Sequence, residues 1–306
     1  MNLRQMEVFR AVMLTGTVAG ASEVLHISQP SVSKSIALAE RRANLKLFER
    51  VKGRLVASPE AKQLYAEVER LWVGVEKIRT LTSQLANPTR GVLDIGASPS
   101  LGSVLIPDAV TALYAQLPEF KVKINLLVPH LLLDAVVEHT VDVAFALCPL
   151  QHPNLVKVAT YDCGWVCVMP PDHPLAQRKQ VQPRDLVGLR LITLPLRMAY
   201  GVSPEALFGD VLDKLNFGMD VRAGQSACHF AAAGAGIAVV DEMTALGNAY
   251  PQLAVRPFKT KARLAITVAH NAYSPMTKAA QALCGHVHQR LARAGIRRKQ
   301  DVPDAA

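Results

Sequence analysis

Two groups of polar residues in this chain of 306 stand at spacings with chemical consequences. The first is Gln29, Ser31, Ser33, Lys34, Ser35 and Arg41, on one face of a helix predicted to open at Ser28-Gln29-Pro30. Ser28 reads as the cap, and Pro30 falls in the first turn, where proline is tolerated. Small hydroxyls let a backbone approach a base-pair edge, a Gln amide can pair with adenine, and a Lys ammonium can reach guanine or phosphate. The helix N-terminus also favours a phosphate. Taken alone, such a face is equally well a solvated, Ser-rich surface. The following segment shifts the balance: Leu45 to Leu55 reads as a hairpin anchored by Leu47, Phe48 and Leu55, displaying Arg50, Lys52 and Arg54 around Gly53. A basic wing beside such a helix suits phosphate or minor-groove contact.

The second group is Ser98, Ser100, Thr193, Gln225 and Ser226. Ser98 and Ser100 follow the apolar run Val92–Ala97 and open a helix, so hydroxyls and free amides together suit a carboxylate. Thr193 ends the apolar run Leu191-Ile192-Thr193, while Gln225 and Ser226 begin a further helix. Ordinary helix capping by Ser98 and Ser226 is the competing reading.

Other chemistry is poorly supported. Cys148, Cys163, Cys167, Cys228 and Cys284 are scattered and odd in number, which suits buried thiols rather than a disulfide framework or a zinc site. His286 and His288 are two apart on a helix and face different ways, a poor metal pair. Cys163, Cys228 and His229 form no recognisable nucleophile–base motif, and no Gly-rich phosphate loop is found, so neither an enzyme nor a cofactor is expected.

The elements needed to position these groups can be read from periodicity. Leu3, Met6, Phe9 and Met13 have helical spacing; Thr17 caps a short second helix to about His26; the third helix turns Val32, Ile36 and Ala39 inward. Three helices with a tight turn between the last two make a helix-turn-helix. Ser58-Pro59-Glu60 starts a long helix to about Leu85. Its stripe Leu64, Val68, Leu71, Val75, Ile78, Leu81 and Leu85 steps by fours and threes, favouring a dimer seam over packing within its own domain. Asn87-Pro88 ends the helix, and Thr89-Arg90-Gly91 reads as a hinge. Beyond residue 92, short strands alternate with helices, including Pro204–Leu215 as one helix, which implies α/β architecture with a largely parallel sheet. The tail from Arg297 reads as disordered.

Charge agrees with this division. The net charge is +9; residues 1–90 carry 14 Lys/Arg against 8 Glu and no Asp, so two thirds of the excess lies in under a third of the chain. A basic first domain suggests a polyanion partner, though a solvated basic surface has the same charge. No run of about 18 apolar residues suggests a membrane span. The N-terminus lacks the pattern of a signal peptide, so a cytoplasmic location is expected.

These motifs resemble the LysR-type transcriptional regulators. The resemblance rests on Ala21, Leu25, Ser28-Gln29-Pro30, Ser33 and Ile36, then Ala39-Glu40, Leu47-Phe48-Glu49-Arg50 and Ser58-Pro59, and further on Asp142-Val-Ala, His173-Pro-Leu and Gly234-Ala-Gly236-Ile-Ala-Val-Val. The chain departs from the family pattern at Ala43-Asn44, where Leu-Gly is usual, and at Ala39, where Leu is usual; Asn tolerates the left-handed turn. The first residues and the segment from Gly236 are similar to the branch controlling lysine biosynthesis and opine use.

The resemblance implies a winged helix-turn-helix over residues 1–58, a dimerising linker helix over 59–88, and two α/β subdomains like those of periplasmic binding proteins. These would be subdomain I at 91–163 and 268–295, and subdomain II at 164–267. It implies a homotetramer on promoter DNA, with Gln29, Pro30, Ser31, Ser33 and Lys34 at the major groove and Arg50, Lys52 and Arg54 on the backbone. It also implies a small effector, an amino acid or other carboxylate, held between the subdomains by Ser98, Ser100, Thr193, Gln225 and Ser226; Arg197 is a further carboxylate partner or a solvent-facing side chain. A solute-binding transport protein is the alternative; it accounts for the α/β half but not for the winged start.

Overall fold

The computed structural model describes residues 1–51, 54–86, 91–195 and 201–299, with the side chains of residues 54, 77, 80, 81 and 83–86 outside the description. Lys52, Gly53, the hinge residues Thr89 and Arg90, and Arg197 therefore lie outside the described residues. The chain divides into two compact units, Met1–Thr82 and Ser83–Ala306.

In the first unit, α1 (Leu3–Thr15) opens with reciprocal bonds: the Asn2 side chain accepts from the Gln5 amide at 2.9 Å, and the Gln5 side chain accepts from the Asn2 amide at 3.0 Å. Thr17 caps α2 (Val18–Leu25), accepting from the Gly20 amide at 3.0 Å. After α3 (Gln29–Ala43), Asn44 takes the left-handed conformation at φ 51°, so the departure from Gly costs the turn nothing in geometry. Val8, Phe9, Val12, Ala21, Val32 and Ile36 form the core under these helices. Strands β1 (Phe48–Val51) and β2 (Arg54–Ala57) pair antiparallel as the expected hairpin, rooted by the fully buried Leu47. Helix α4 (Pro59–Ala86) is tied to α1 by Arg10, which meets Glu69 at 2.7 Å and lies over the Trp72 ring at 5.3 Å. Val68 is buried in this unit, whereas Leu71 and Ile78 are 46% and 68% exposed; the predicted stripe is thus only half satisfied by its own unit. Leu81 and Leu85 lie among the side chains outside the description.

The second unit contains two five-stranded sheets. The first is built from β3 (Val92–Ala97), β4 (Lys121–Leu126), β5 (Val143–Ala146), β6 (Leu155–Cys163) and β12 (Leu264–Asn271), ordered β4-β3-β5-β12-β6. The second is built from β7 (Trp165–Met169), β8 (Arg190–Thr193), β9 (Asn216–Asp220), β10 (Ile237–Asp241) and β11 (Ala254–Pro257), ordered β11-β7-β10-β8-β9. Helices α5 (Pro99–Tyr114), α6 (Pro129–Val137), α7 (Pro204–Phe208), α8 (Gly224–Ala232) and α9 (Lys278–Arg293) accompany them. The chain leaves the first lobe at Gly164 and is back in its sheet by Leu264, ahead of the expected return near Val268.

Three expectations are corrected. Each sheet is mixed: β3 runs parallel to β4 and β5, and β8 to β9 and β10, but β12 and β7 run antiparallel to their neighbours. Helical crossovers enforce parallel pairing only where they intervene, and the segments passing between lobes carry none. The predicted helix Pro204–Leu215 breaks at Gly209, whose φ of 65° is left-handed, and continues as a 3-10 stretch. The tail does not leave the fold at Arg297: the Asp162 amide donates to the Arg297 carbonyl at 3.0 Å and the Lys299 amide to the Thr160 carbonyl at 2.8 Å, covering the open edge of β6. Strand β6 itself was not anticipated, although Ala159, Tyr161 and Cys163 are buried at period two. Among the described residues no helix is long and apolar enough to cross a membrane.

Candidate functional site

Helix α3 separates its two faces cleanly. Val32, Ile36 and Ala39 are buried, while Gln29, Pro30, Ser31, Ser33, Lys34 and Arg41 are exposed; Ser35 is half-buried. These six polar or small positions thus remain in solvent because the 3.6-residue period commits only the apolar ones to the core. The Ser28 hydroxyl caps the helix through the Ser31 amide at 3.4 Å and also meets the Ser31 hydroxyl at 2.8 Å. Ser31 is therefore engaged by the cap, whereas no described residue hydrogen-bonds the side chains of Gln29, Ser33 or Lys34.

The hairpin is held to this helix by a residue that motif reading left without a role. Glu40 Oε1 accepts from the amides of Leu47 at 2.8 Å and Phe48 at 3.1 Å, fixing the start of β1 against the end of α3. Arg50 is exposed on β1 opposite Leu55, and the backbone of Arg54 pairs with Val51. Glu40→Ala leaves two amides without their acceptor and is expected to destabilise the first unit by about 1–3 kcal/mol and loosen the wing. Glu40→Gln, which keeps one acceptor oxygen, should recover most of the loss in a denaturant titration and in DNA affinity. A wild-type result for the alanine variant would show that the wing is held by other contacts.

In the second unit, the predicted residues gather at carboxyl ends of parallel strands, the usual place for a ligand in α/β folds. Ser98 stands at the cap position of α5 but makes no side-chain cap; its hydroxyl accepts from the Leu147 amide at 2.9 Å, joining the ends of β3 and β5. Ser226 is not a cap either, because the cap position of α8 is Ala223 and Ser226 lies within the first turn. The competing capping reading is thus wrong for both serines: the cap of α5 lends its hydroxyl to another strand, and α8 has no side-chain cap. Thr193 is buried and donates to Asp220 Oδ1 at 2.7 Å on the neighbouring strand. Gln225 reaches from the second lobe to the first, its amide nitrogen donating to the Pro99 carbonyl at 2.8 Å. The structure therefore brings Ser100 and Gln225 to the first turn of α5, with Ser98 at its start, and leaves Thr193 tied within its own sheet.

Asp241 was missed by sequence reading. It ends β10 with no exposed surface, accepts from the Thr244 amide at 2.9 Å and the Thr244 hydroxyl at 2.8 Å, and faces the Ser100 hydroxyl of the other lobe. Burial pushes its carboxyl above the usual carboxylate range, and the bonds from Thr244 and Ser100 pull it part of the way back. The only sequence signal was an acid closing an otherwise apolar strand, Ile237–Asp241. The five cysteines are all free thiols. Burial pushes Cys148 up to about 11 and Cys228 and Cys284 up to about 12, with Cys163 and Cys167 also well above the ordinary thiol value. Such thiols are inert as nucleophiles at neutral pH. Among the described residues no group of three or more His, Cys, Asp or Glu is placed to hold a metal ion.

Comparison with known proteins matches both units. Residues 3–62 match the bacterial regulatory helix-turn-helix protein family, lysR type, and residues 86–292 match the LysR substrate binding domain. The chain is 31% identical to the transcriptional activator protein LysR of Escherichia coli (strain K12), over 95% of this chain and 93% of that protein. It is 30% identical to the octopine catabolism/uptake operon regulatory protein OccR of Rhizobium meliloti, over 84% and 85% respectively. In fold, it is similar to full-length CbnR solved with its target DNA, with a TM-score of 0.70 at 17% identity over 94% of this chain and 99% of that one. A winged helix-turn-helix with an exposed polar face on α3, followed by a two-lobed α/β unit with the matching domain model, makes this chain a member of the LysR family: a DNA-binding transcriptional regulator and not an enzyme.

Proposed function

We propose that the protein reads a promoter in the cytoplasm with α3 in the major groove, and that a small carboxylate or amino acid bound between the lobes adjusts its output. The observation that carries the DNA reading is the solvent-facing, unpaired row Gln29, Ser33 and Lys34 above a fully committed apolar face. Ser31 joins them at the helix start, while Arg50, Lys52 and Arg54 hold the backbone through the wing. In this reading residues 1–58 read DNA and residues 59–88 pair protomers into a dimer or tetramer. Exposed Leu71 and Ile78 support the pairing, because a long helix does not leave an apolar stripe in water without a partner. The effector reading takes residues 91–163 and 268–295 as one lobe and 164–267 as the other, with Ser98, Ser100, Thr193, Gln225 and Ser226 at the ligand. Similarity to a regulator of octopine catabolism and uptake supports an amino-acid-derived ligand.

The test is a gel shift on the DNA upstream of the protein's own coding region at two salt concentrations. Wild-type binding should be sequence-specific and weaken with salt, as phosphate contacts require. Lys34→Ala is expected to cost about 1–3 kcal/mol of discrimination between promoter and scrambled DNA, with unchanged melting behaviour. Unchanged discrimination in that variant would show that α3 reads the bases by another face or not at all. A thermal-shift screen of amino acids and small organic acids tests the effector reading, since a ligand of the folded state raises its melting temperature with dose.

A further inference from the structure

We propose that the crossing between the two lobes carries a latch, in which Glu242 and Arg263 close over Gly164, and that opening it frees the lobes to move against each other. The latch is made of the chain's own residues and requires no ligand. Strand β6 ends at Cys163 and β7 begins at Trp165, so on the outward crossing Gly164 alone joins the two sheets. Residues 258–263 make the return crossing between β11 and β12. Lobes joined by two such segments swing about them unless something fixes the backbone of the crossing. Here Glu242, directly after β10, takes both polar groups of Gly164. Its Oε1 accepts from the Gly164 amide, and its own amide donates to the Gly164 carbonyl at 3.0 Å. The crossing is thereby tied to the second lobe. On the side of the first lobe, Arg263 Nε donates to Asp162 Oδ2 at 2.9 Å, and Lys299 Nζ lies 3.3 Å from Asp162 Oδ1. The two halves meet over Gly164, where a Cβ would lie 2.9 Å from Arg263 Nη1 and 2.9 Å from Glu242 Oε2. An anion fixed to one lobe and a cation paired to the other thus flank the residue between them.

These residues suit a reversible contact. The side chains of Arg263, Asp162 and Lys299 remain 48%, 32% and 49% exposed, and ion pairs so exposed add little to folding stability and weaken with salt. Gly164 does not take a left-handed φ, so what it supplies is room for the two side chains. Far from the crossing, the lobes also meet at the first turns of α5 and α8, where Gln225 donates to the Pro99 carbonyl at 2.8 Å. A weak latch at the hinge lets a modest difference in affinity shift the lobes from one position to another.

The experiment is hydrogen exchange read by mass spectrometry on the full chain, without ligand. Glu242→Ala removes the side-chain half of the latch. Gly164→Ala adds a methyl group that pushes apart two flexible side-chain ends and meets no backbone atom. Each variant is expected to speed exchange about 10–100-fold at residues 162–166, the range of a lost charged hydrogen bond, and also in the first turns of α5 and α8. The interiors of β5 and β8 should keep their wild-type rates, and wild type at high salt should move in the same direction as the variants. Glu242→Gln keeps an acceptor for the Gly164 amide but no charge for Arg263, and should fall between wild type and Glu242→Ala. Faster exchange at 162–166 alone would overturn the proposal, since Glu242 would then only complete local hydrogen bonding while other contacts hold the lobes. Wild-type exchange throughout would overturn it as well. Should Glu242→Ala fail to fold, Gly164→Ala and the salt series decide by the same readout.

Discussion

Phe9→Ala is expected to destabilise the first unit strongly, and to weaken DNA binding with it, while the second keeps its own melting transition. Phe9 has no exposed surface, and its ring lies 5.8 Å from Phe48 and 6.4 Å from Tyr65. One side chain thereby joins α1 to the root of the wing and to α4. Truncating such a phenylalanine costs about 3–5 kcal/mol, part transfer energy and part cavity. A small domain has about 5–15 kcal/mol in total, and the few side chains packed around Val8, Val12 and Val32 cannot close the space. Calorimetry of wild type and variant would check this directly. The transition of Met1–Thr82 should fall by more than about 10 °C at that cost, and that of Ser83–Ala306 should stay in place. A variant that melted and bound DNA like wild type would show that the reading head does not depend on this core.

Gly236→Ala is the second large effect, and it falls on the other unit. Gly236 sits at φ 155°, and a Cβ there would lie 2.5 Å from the Arg190 carbonyl oxygen, a backbone atom that cannot rotate away. Immediately afterwards β10 pairs with β8 at Ile237 and Leu191, so relief requires sliding one strand against the other. Strain and overpacking together cost about 2–5 kcal/mol. Because Asp241 and Thr193 close those same two strands, the shift should also remove any ligand-induced rise in melting temperature, while DNA binding persists. Gly234→Ala in the same turn is the control: it has φ 80° but nothing within 4 Å of the added Cβ, so it should cost only about 1 kcal/mol. Equal effects from the two substitutions would mean that the contact with Arg190 is not what constrains the turn.

Much of this protein was legible residue by residue. The caps Thr17 and Ser28, the inward row Val32, Ile36 and Ala39, the hairpin on Leu47 and the exposed polar face of α3 all follow from interactions within a few positions of one another. So does the left-handed Asn44, whose side chain tolerates that conformation. Local chemistry of this kind is written in composition and period, and the tertiary fold has only to respect it.

What only the tertiary structure decided are pairings between distant residues. Glu40 takes the amides of Leu47 and Phe48, Ser98 gives up its cap for Leu147, Gln225 reaches Pro99, and Asp241 meets Ser100 from the other lobe. The direction of β7 and β12 belongs to the same class, since it depends on how the chain crosses between sheets and not on the strands' own residues. A side chain's periodicity records whether it is buried; it carries no record of which partner burial will supply. That choice is made by closure of long loops and by the need to satisfy every polar group removed from water.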